Sequence, residues 1–514
     1  MKVPQPIFSV LLVLIKLFLL NFAAQPSLSA PDGPLYDYSA YTECKSQPED
    51  PLYNGGVFRN HNGLNRKTVD SIGSPGIFSP AFVVPNLTQT TKYSFSGWVK
   101  INGKVKSAII RANFWSGNSS FECNGSVLAK RGCWSLLKAG LKSSPCLENI
   151  QAFDHKNSED SGIDISVGSL SLQPFTDQQW KSNQDFSINS ERKRAVTIHV
   201  SDKNGTRLPG AQIIVDQISK EFPFGSAIAD TILGNLLYQK WFAERFNVAV
   251  FENELKWYTT EPEQGKLNYT LADKLLEFVR ANQMSVRGHN IFWEDPIYNP
   301  AWVRNLTSQK LQSAVGSRIQ SLMLKYRGDF IHWDVSNELL HFDFYEKKLG
   351  PNATLSFFET AHKADPLATL FMNEFNIVET CSDDKSTVDT YISRLKDLKR
   401  DDIRMGGIGL EGHFSAPNLP LMRATLDKLA TLDLPIWLTE VDIQDSFDKQ
   451  TQAVYLEQVV REAFSHPSVD GITFWSAIHP YGCYPMCLTD NDFRNLPTSD
   501  VVDKLLNYLF HLRI

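Results

Sequence analysis

Little in this chain points toward nucleic acid, structural zinc or a membrane interior. Its 51 Lys and Arg against 57 Asp and Glu leave a formal charge of −6, too balanced for a nucleic-acid or anionic-membrane partner. The seven cysteines contain no group with structural-zinc spacing. Beyond the first thirty residues no apolar run is long enough to span a bilayer. Helical periodicity is scarce between about residues 35 and 180, which excludes an all-helical start. What remains is an ordinary globular composition, 42% hydrophobic and 21% charged, in 514 residues. That length exceeds what one core usually sustains, so two or three domains are expected.

Residues 1–30 open with Lys2, run apolar from Ile7 to Leu20 with Lys16 as an interruption, and reach small residues at Ala23, Ala24 and Ala30. They read as a secretory signal peptide, with a signal anchor as the alternative that Lys16 disfavours. Asn-x-Ser/Thr acceptors stand at Asn86, Asn118, Asn124, Asn204, Asn268, Asn305 and Asn352, and jointly support a secretory, extracellular route. Cys44, Cys123, Cys133 and Cys146 are expected to supply one or two disulfides within the N-terminal part. Cys483 and Cys487 suggest a bridge by proximity, which leaves Cys381 free or partnered elsewhere.

Between residues 35 and 190, runs such as Tyr93 to Ile101 and Ala108 to Phe114 alternate with Gly, Asn and Ser clusters, the pattern of an all-β sandwich. Gln173 to Arg194 reads as a polar linker, and the boundary is placed near residue 190. Ala195 to Val200 and Ala211 to Ile218, flanking Asn204-Gly205, suggest a β-hairpin. Residues 191–514 then alternate strands and helices. Eight strand candidates begin at Phe222, Asn247, Ser285, Phe330, Thr369, Gly407, Pro435 and Gly471. Leu271, Leu275, Phe278 and Val279 form a helical stripe, with Thr270 and Asp273 placed as a capping box. Leu456, Val459, Val460, Ala463 and Phe464 repeat the stripe before the last strand. Eight βα units indicate an α/β fold, a (β/α)8 TIM barrel, with a doubly wound open sheet as the alternative.

Two of these strands end in a carboxylate: F-I-H-W-D-V-S-N-E at Glu338 and P-I-W-L-T-E-V-D at Glu440. Hydrolysis of a glycosidic bond takes two carboxyl groups flanking it, and strand ends are where a barrel collects its chemistry. The other ends add Glu252, Asn253 and Lys256, then His289 and Trp293, Asn337, Asn373, Glu411 with His413, Asp442 and Trp475. Amides, carboxylates and flat apolar faces suit hydroxyl-rich sugars. Either indole, Trp293 or Trp475, could instead cap the core.

Trp333 to Glu338 and Leu438 to Asp442 resemble the acid/base and nucleophile motifs of family 10 glycoside hydrolases, the retaining endo-β-1,4-xylanases. E-N-E-L-K-W, R-G-H-N-I-F-W-E-D-P, G-L-E-G-H-F and G-I-T-F-W are similar to that family's strand-end motifs in the same order, over about residues 220 to 510. The wording of H-W-D-V-S-N-E and C-Y-P-M-C-L-T-D is nearest the plant branch. G-C-W-S-L-L-K-A-G-L at Gly132 to Leu141 is similar to family 22 carbohydrate-binding modules.

The resemblance implies that Glu338 is the acid/base and Glu440 the nucleophile. It implies that Asn337 bonds the sugar 2-hydroxyl and that His413 and Asp442 orient Glu440. Glu252, Asn253, Lys256, His289, Trp293, Glu411 and Trp475 line the sugar subsite. Glu294 and Glu411 stand where many relatives have His and Gln, and the Trp that often follows strand eight is absent near Gly482 and Cys483. Two added carboxylates beside the pair are expected to alter the pH profile. The implied protein is a secreted, monomeric cell-wall enzyme acting on xylan, with neither cofactor nor metal. The alternatives are a xylan transglycosylase and a xylan-binding wall protein with weak or lost activity. In the N-terminal region Trp98, Phe114, Trp115 and Trp134 are candidate stacking rings, with core packing as the other fate.

Overall fold

The structure is a computed structural model and describes residues 30–55, 66–67, 81–82, 91–114, 122–142, 164–193, 197–213, 221–399 and 405–510. The signal-like segment 1–29, Asn86, Asn118, Trp115 and Cys146 lie outside the described residues, as does the side chain of Phe114.

All eight predicted strands form. They are Phe224–Ile228, Val248–Phe251, Ser285–Gly288, His332–Asn337, Thr369–Glu374, Met405–Leu410, Ile436–Ile443 and Val469–Phe474. Each pairs parallel with its neighbour in chain order. The eighth pairs with the first and the third with the fourth, so the sheet closes. This is the (β/α)8 barrel, and closure rules out the open doubly wound sheet. Parallel strands covered by helices are buried on both faces, and every residue of the fourth and seventh is buried. Glycine makes room where aromatics fill the interior: a Cβ on Gly288 would overlap the Trp333 ring, and one on Gly471 the Trp437 ring.

The helix Thr270–Ala281 forms and buries Leu275, Phe278 and Val279, but Leu271 is exposed. The expected capping box is absent. Thr270 is already the first helical residue, its N–H taken at 3.0 Å by Asn268, while Asp273 accepts from the Tyr326 hydroxyl at 2.8 Å. The stripe from Leu456 to Phe464 is buried as expected.

Among the described N-terminal residues, a three-stranded antiparallel sheet (Thr91–Asn102 between Ser135–Lys142 and Asp164–Thr176) and a two-stranded one (Ser107–Phe114 with Glu122–Lys130) share one apolar core. Trp98 is buried and Trp134 partly so. A Cβ on Gly140 would overlap the backbone of Pro420 and Leu421, so this β region lies directly against the barrel helix Leu419–Ala430.

Two local expectations are corrected here. The supposed linker from Gln173 is the end of a strand followed by a helix, Asp177–Ser187. Thr176 and Gln179 cap it reciprocally, and Trp180 and Gln184 are buried. Both donate to Glu462 of the barrel, at 2.8 and 2.6 Å, and Glu462 also pairs with the buried Arg423. Of the hairpin about Asn204-Gly205, the described residues 197–213 show one bridge, Ser201 with Arg207, while residues 195–196 and 214–218 of its expected strands lie outside the described residues. The N-terminal cysteines do not pair only among themselves: Cys44 bonds Cys133, but Cys123 bonds Cys381 across the contact with the barrel. Cys483–Cys487 is bridged as expected.

Asn204, Asn268, Asn305 and Asn352 are exposed, whereas Asn124 lies in a strand and is only 6% exposed. A glycan has no room at Asn124, which corrects its place among the acceptors. Among the described residues no helix is long and apolar enough to cross a membrane.

Candidate active site

Both glutamate-bearing strands are irregular at the point that matters. In the fourth, pairing with the fifth shifts between Asp334 and Ser336. In the seventh, pairing with the eighth shifts between Leu438 and Val441. Such bulges re-aim side chains out of strict alternation. Glu338 follows with φ +63°, a left-handed backbone uncommon for a side chain with a Cβ. Strain of this kind clusters where geometry serves chemistry.

Around Glu440 the other strand ends supply donors. Asn373 Nδ2 donates to Glu440 at 2.8 Å and lies 3.0 Å from Asn337 Oδ1 and 3.4 Å from Glu411. Asn373 Oδ1 in turn accepts from Thr439 at 2.5 Å. His289 Nδ1 is 3.0 Å from Asp334 and 3.7 Å from Glu440, and Asp334 also holds Arg287 at 2.6 Å. His413 Nδ1 is 2.9 Å from Asp442, which leaves Nε2 3.4 Å from Glu411 and 3.7 Å from Glu440. Glu379 accepts the backbone N–H groups of Gly412 and His413 at 3.0 and 3.1 Å, holding that turn. Asn337 reaches Glu338 at 3.3 Å.

On the second strand's side, Asn253 accepts from Lys256 at 3.2 Å and from Tyr258 at 2.9 Å, and Glu252 is 2.6 Å from His479. Trp475 is buried, edge-on to His289 with ring centroids 5.1 Å apart. Every site residue nominated from the sequence thus stands at the carboxyl end of the barrel. Asp334, Glu379 and His479 are additions, and Asn373 gains a contact with Glu440 that the sequence did not assign. Asn373 was visible as a polar strand end. Asp334 carried a second signal, a charge inside the apolar run I-H-W-D-V that burial obliges to find a partner.

The two glutamates are driven apart electrostatically. Burial, with Glu374, Glu440 and Asp295 nearby, pushes Glu338 up to about 7. The indole N–H of Trp293 works the other way. Burial also penalises a charge on Glu440, yet His289, His413 and Lys256 together bring it down to about 2. Burial raises Glu411 well above the carboxylate range, reinforced by the charges of Glu440 and Glu338. Burial opposes a charge on His413, but Asp442 above all, with Glu411 and Glu440, holds its pKa well above the ordinary value. Burial lowers Lys256, against four carboxylates that raise it.

Glu294 is not beside the pair. It is fully buried, accepts from Ser336 at 3.0 Å and the Tyr345 N–H at 3.3 Å, and burial pushes it up to about 8. The expectation of two extra carboxylates at the site therefore holds only for Glu411. One donor atom each from Glu411, His413 and Glu440 lies within 4.8 Å of the others, a spacing a cation would accept.

The family model described as Glycosyl hydrolase family 10 matches residues 214–486, more than half of the chain. The chain belongs to glycosyl hydrolase family 10. It is 40% identical over 423 residues to Endo-1,4-beta-xylanase 5 of Arabidopsis thaliana, covering 80% of this chain and 73% of the relative. It is 35% identical over 509 residues to Endo-1,4-beta-xylanase 4 of the same plant, covering 95% and 85%. Among solved structures, xylanase 10B from Thermotoga petrophila RKU-1 in complex with xylobiose is similar, with a TM-score of 0.50 and 25% identity, covering 56% of this chain and 94% of that one. As a family 10 member the chain is a glycoside hydrolase.

Proposed function

We propose that this chain is a retaining endo-1,4-beta-xylanase, with Glu338 as acid/base and Glu440 as nucleophile. One observation carries the assignment: two carboxyl groups of the same chemistry are pushed to opposite protonation states, about 7 and about 2. Acid/base roles follow environments that separate pKa values in this way.

In the first step a Glu440 oxygen attacks the anomeric carbon. The C1–O bond to the leaving sugar breaks, and its electron pair takes the proton from Glu338. In the second step water attacks C1, gives its proton to the Glu338 carboxylate, and the ester to Glu440 breaks. The Asn373 and Asn337 amides and the His413–Asp442 pair position Glu440 and a sugar 2-hydroxyl. Glu252, Asn253, Lys256, His289, Trp293, Glu411 and Trp475 form the surrounding subsite.

The names of the relatives support xylan as the substrate. The signal-like residues 1–30 and the exposed acceptors Asn204, Asn268, Asn305 and Asn352 support secretion as a glycoprotein to the cell wall. Asn86 and Asn118 stay in this proposal by sequence alone. The β region of residues 35–190 is proposed as a family 22 carbohydrate-binding module, residues 191–514 as the catalytic domain, and the protein as a monomer. The test is release of reducing ends from xylan against cellulose and mannan, with the anomer of the first product followed by NMR. Release from xylan with β-anomer first supports the proposal, and α-anomer first rejects retention. Equal slow release by wild type and Glu440→Gln rejects catalysis by this pair.

A further inference from the structure

The indole of Trp293, nominated to line the sugar subsite, is itself covered in part. Tyr298 stacks on it with centroids 3.8 Å apart and planes 13° apart, while Lys256 Nζ stands 4.5 Å over the ring. The Trp293 N–H is buried and acts on Glu338. The aromatic surface on that side belongs to Tyr298, 40% exposed at the end of the short turn Pro296–Tyr298.

A second exposed ring faces the same cleft. Tyr484 is 67% exposed, with its ring 6.0 Å from that of His413. It lies inside the Cys483–Cys487 disulfide loop, which is tied down by Thr498 donating to the Cys487 carbonyl at 2.7 Å and Gln452 to that of Pro485 at 3.3 Å. Burial does most to raise the pKa of the Tyr484 hydroxyl, and the charges of His413, Asp442, Tyr298 and Glu440 also register on it. Tyr258, which donates to Asn253, likewise senses Tyr298 after burial and Glu252. Tyr298 thus stands within electrostatic reach of both the second-strand residues and the Cys483–Cys487 loop.

We propose that Tyr298 and Tyr484, and not the faces of Trp293 or Trp475, are the rings on which sugar units pack at the mouth of this cleft. The inference rests on the glycoside-hydrolase reading and concerns which side chains set sugar binding. A pyranose ring with equatorial substituents presents an apolar C–H face, and an anchored, exposed phenol offers it area at little entropic cost. Tyr298 gets its rigidity from Trp293 beneath it, and Tyr484 from the clasped loop.

The test uses the full chain with Tyr298→Ala, Tyr298→Phe, Tyr484→Ala and Tyr484→Phe. Cleavage of xylotriose to xylohexaose is measured, with xylohexaose binding by calorimetry in a Glu440→Gln background. Each Ala variant is expected to raise KM and Kd about tenfold, the weight of one lost aromatic contact, with kcat little changed and Phe restoring both. Wild-type KM and Kd in both Ala variants would overturn the proposal. So would a fall in kcat at constant KM in Tyr298→Ala, which would mean that Tyr298 acts only by seating Trp293. If wild type is inert toward xylo-oligosaccharides but binds cellohexaose, the xylanase reading fails, and the same variants measured on cellohexaose still decide the role of the two rings.

Discussion

Asn373 donates a hydrogen bond to Glu440 across the barrel mouth at 2.8 Å, and the same amide nitrogen lies 3.4 Å from Glu411. One amide from the fifth strand thus stands between carboxylates of the sixth and seventh. Truncation to Ala removes a donor to a charged acceptor, a loss of about 1.5–3 kcal/mol. Asn373→Ala is expected to lower kcat/KM on xylan by ~10- to 100-fold. A value within twofold of wild type would show that Asn373 only fills space.

The separated glutamates set a pH profile. Activity needs Glu338 protonated and Glu440 ionised, so kcat/KM should fall as pH rises through about 7, while ionisation of Glu440 at about 2 leaves the mildly acidic range open. Glu338→Gln, assayed on an aryl xyloside whose leaving group needs no proton, is expected to lose the alkaline limb. An unchanged limb in that variant would assign it to another group.

Glu294 affects stability and not the pH optimum. Its folded pKa, raised by burial from 4.5 to about 8, means that stability is full below about 4.5 and is lost as pH rises through about 8. Glu294→Gln is expected to flatten the fall in Tm between pH 5 and 8 and to leave the pH–rate curve in place. A shifted rate curve with an unchanged Tm profile would reverse that conclusion.

Glu462 accepts from Trp180 and Gln184 of the N-terminal helix and pairs with Arg423, all buried. Glu462→Ala would strand a buried guanidinium, costing about 3–5 kcal/mol. Urea unfolding is expected to show that loss, against a smaller one of about 1.5–3 kcal/mol for Trp180→Phe, which removes one hydrogen bond to the same carboxylate and strands no charge. Equal effects would mean that the charge is not the stabilising element.

The eight strands were legible because parallel, doubly covered strands are continuous apolar runs, and Glu338 and Glu440 stood out as polar ends of such runs. The passage from Gln173 was not legible as a helix. Its Trp180 and Gln184 satisfy the barrel's buried Glu462, a partner that lies more than 200 positions away. Cys123 was equally opaque, because disulfide pairing follows Cα proximity, here 5.6 Å to Cys381.

By itself the sequence determined the barrel, the order of its strand ends and the pair of glutamates that face each other in function, since periodicity and local motifs encode those directly. Only the tertiary structure decided how each carboxyl is charged, why Glu294 stays apart while Glu411 joins the site, and which aromatic faces remain open. Desolvation, Coulomb interaction and ring stacking depend on neighbours that closure of the barrel brings in from different strands, and no local pattern in the chain carries that information.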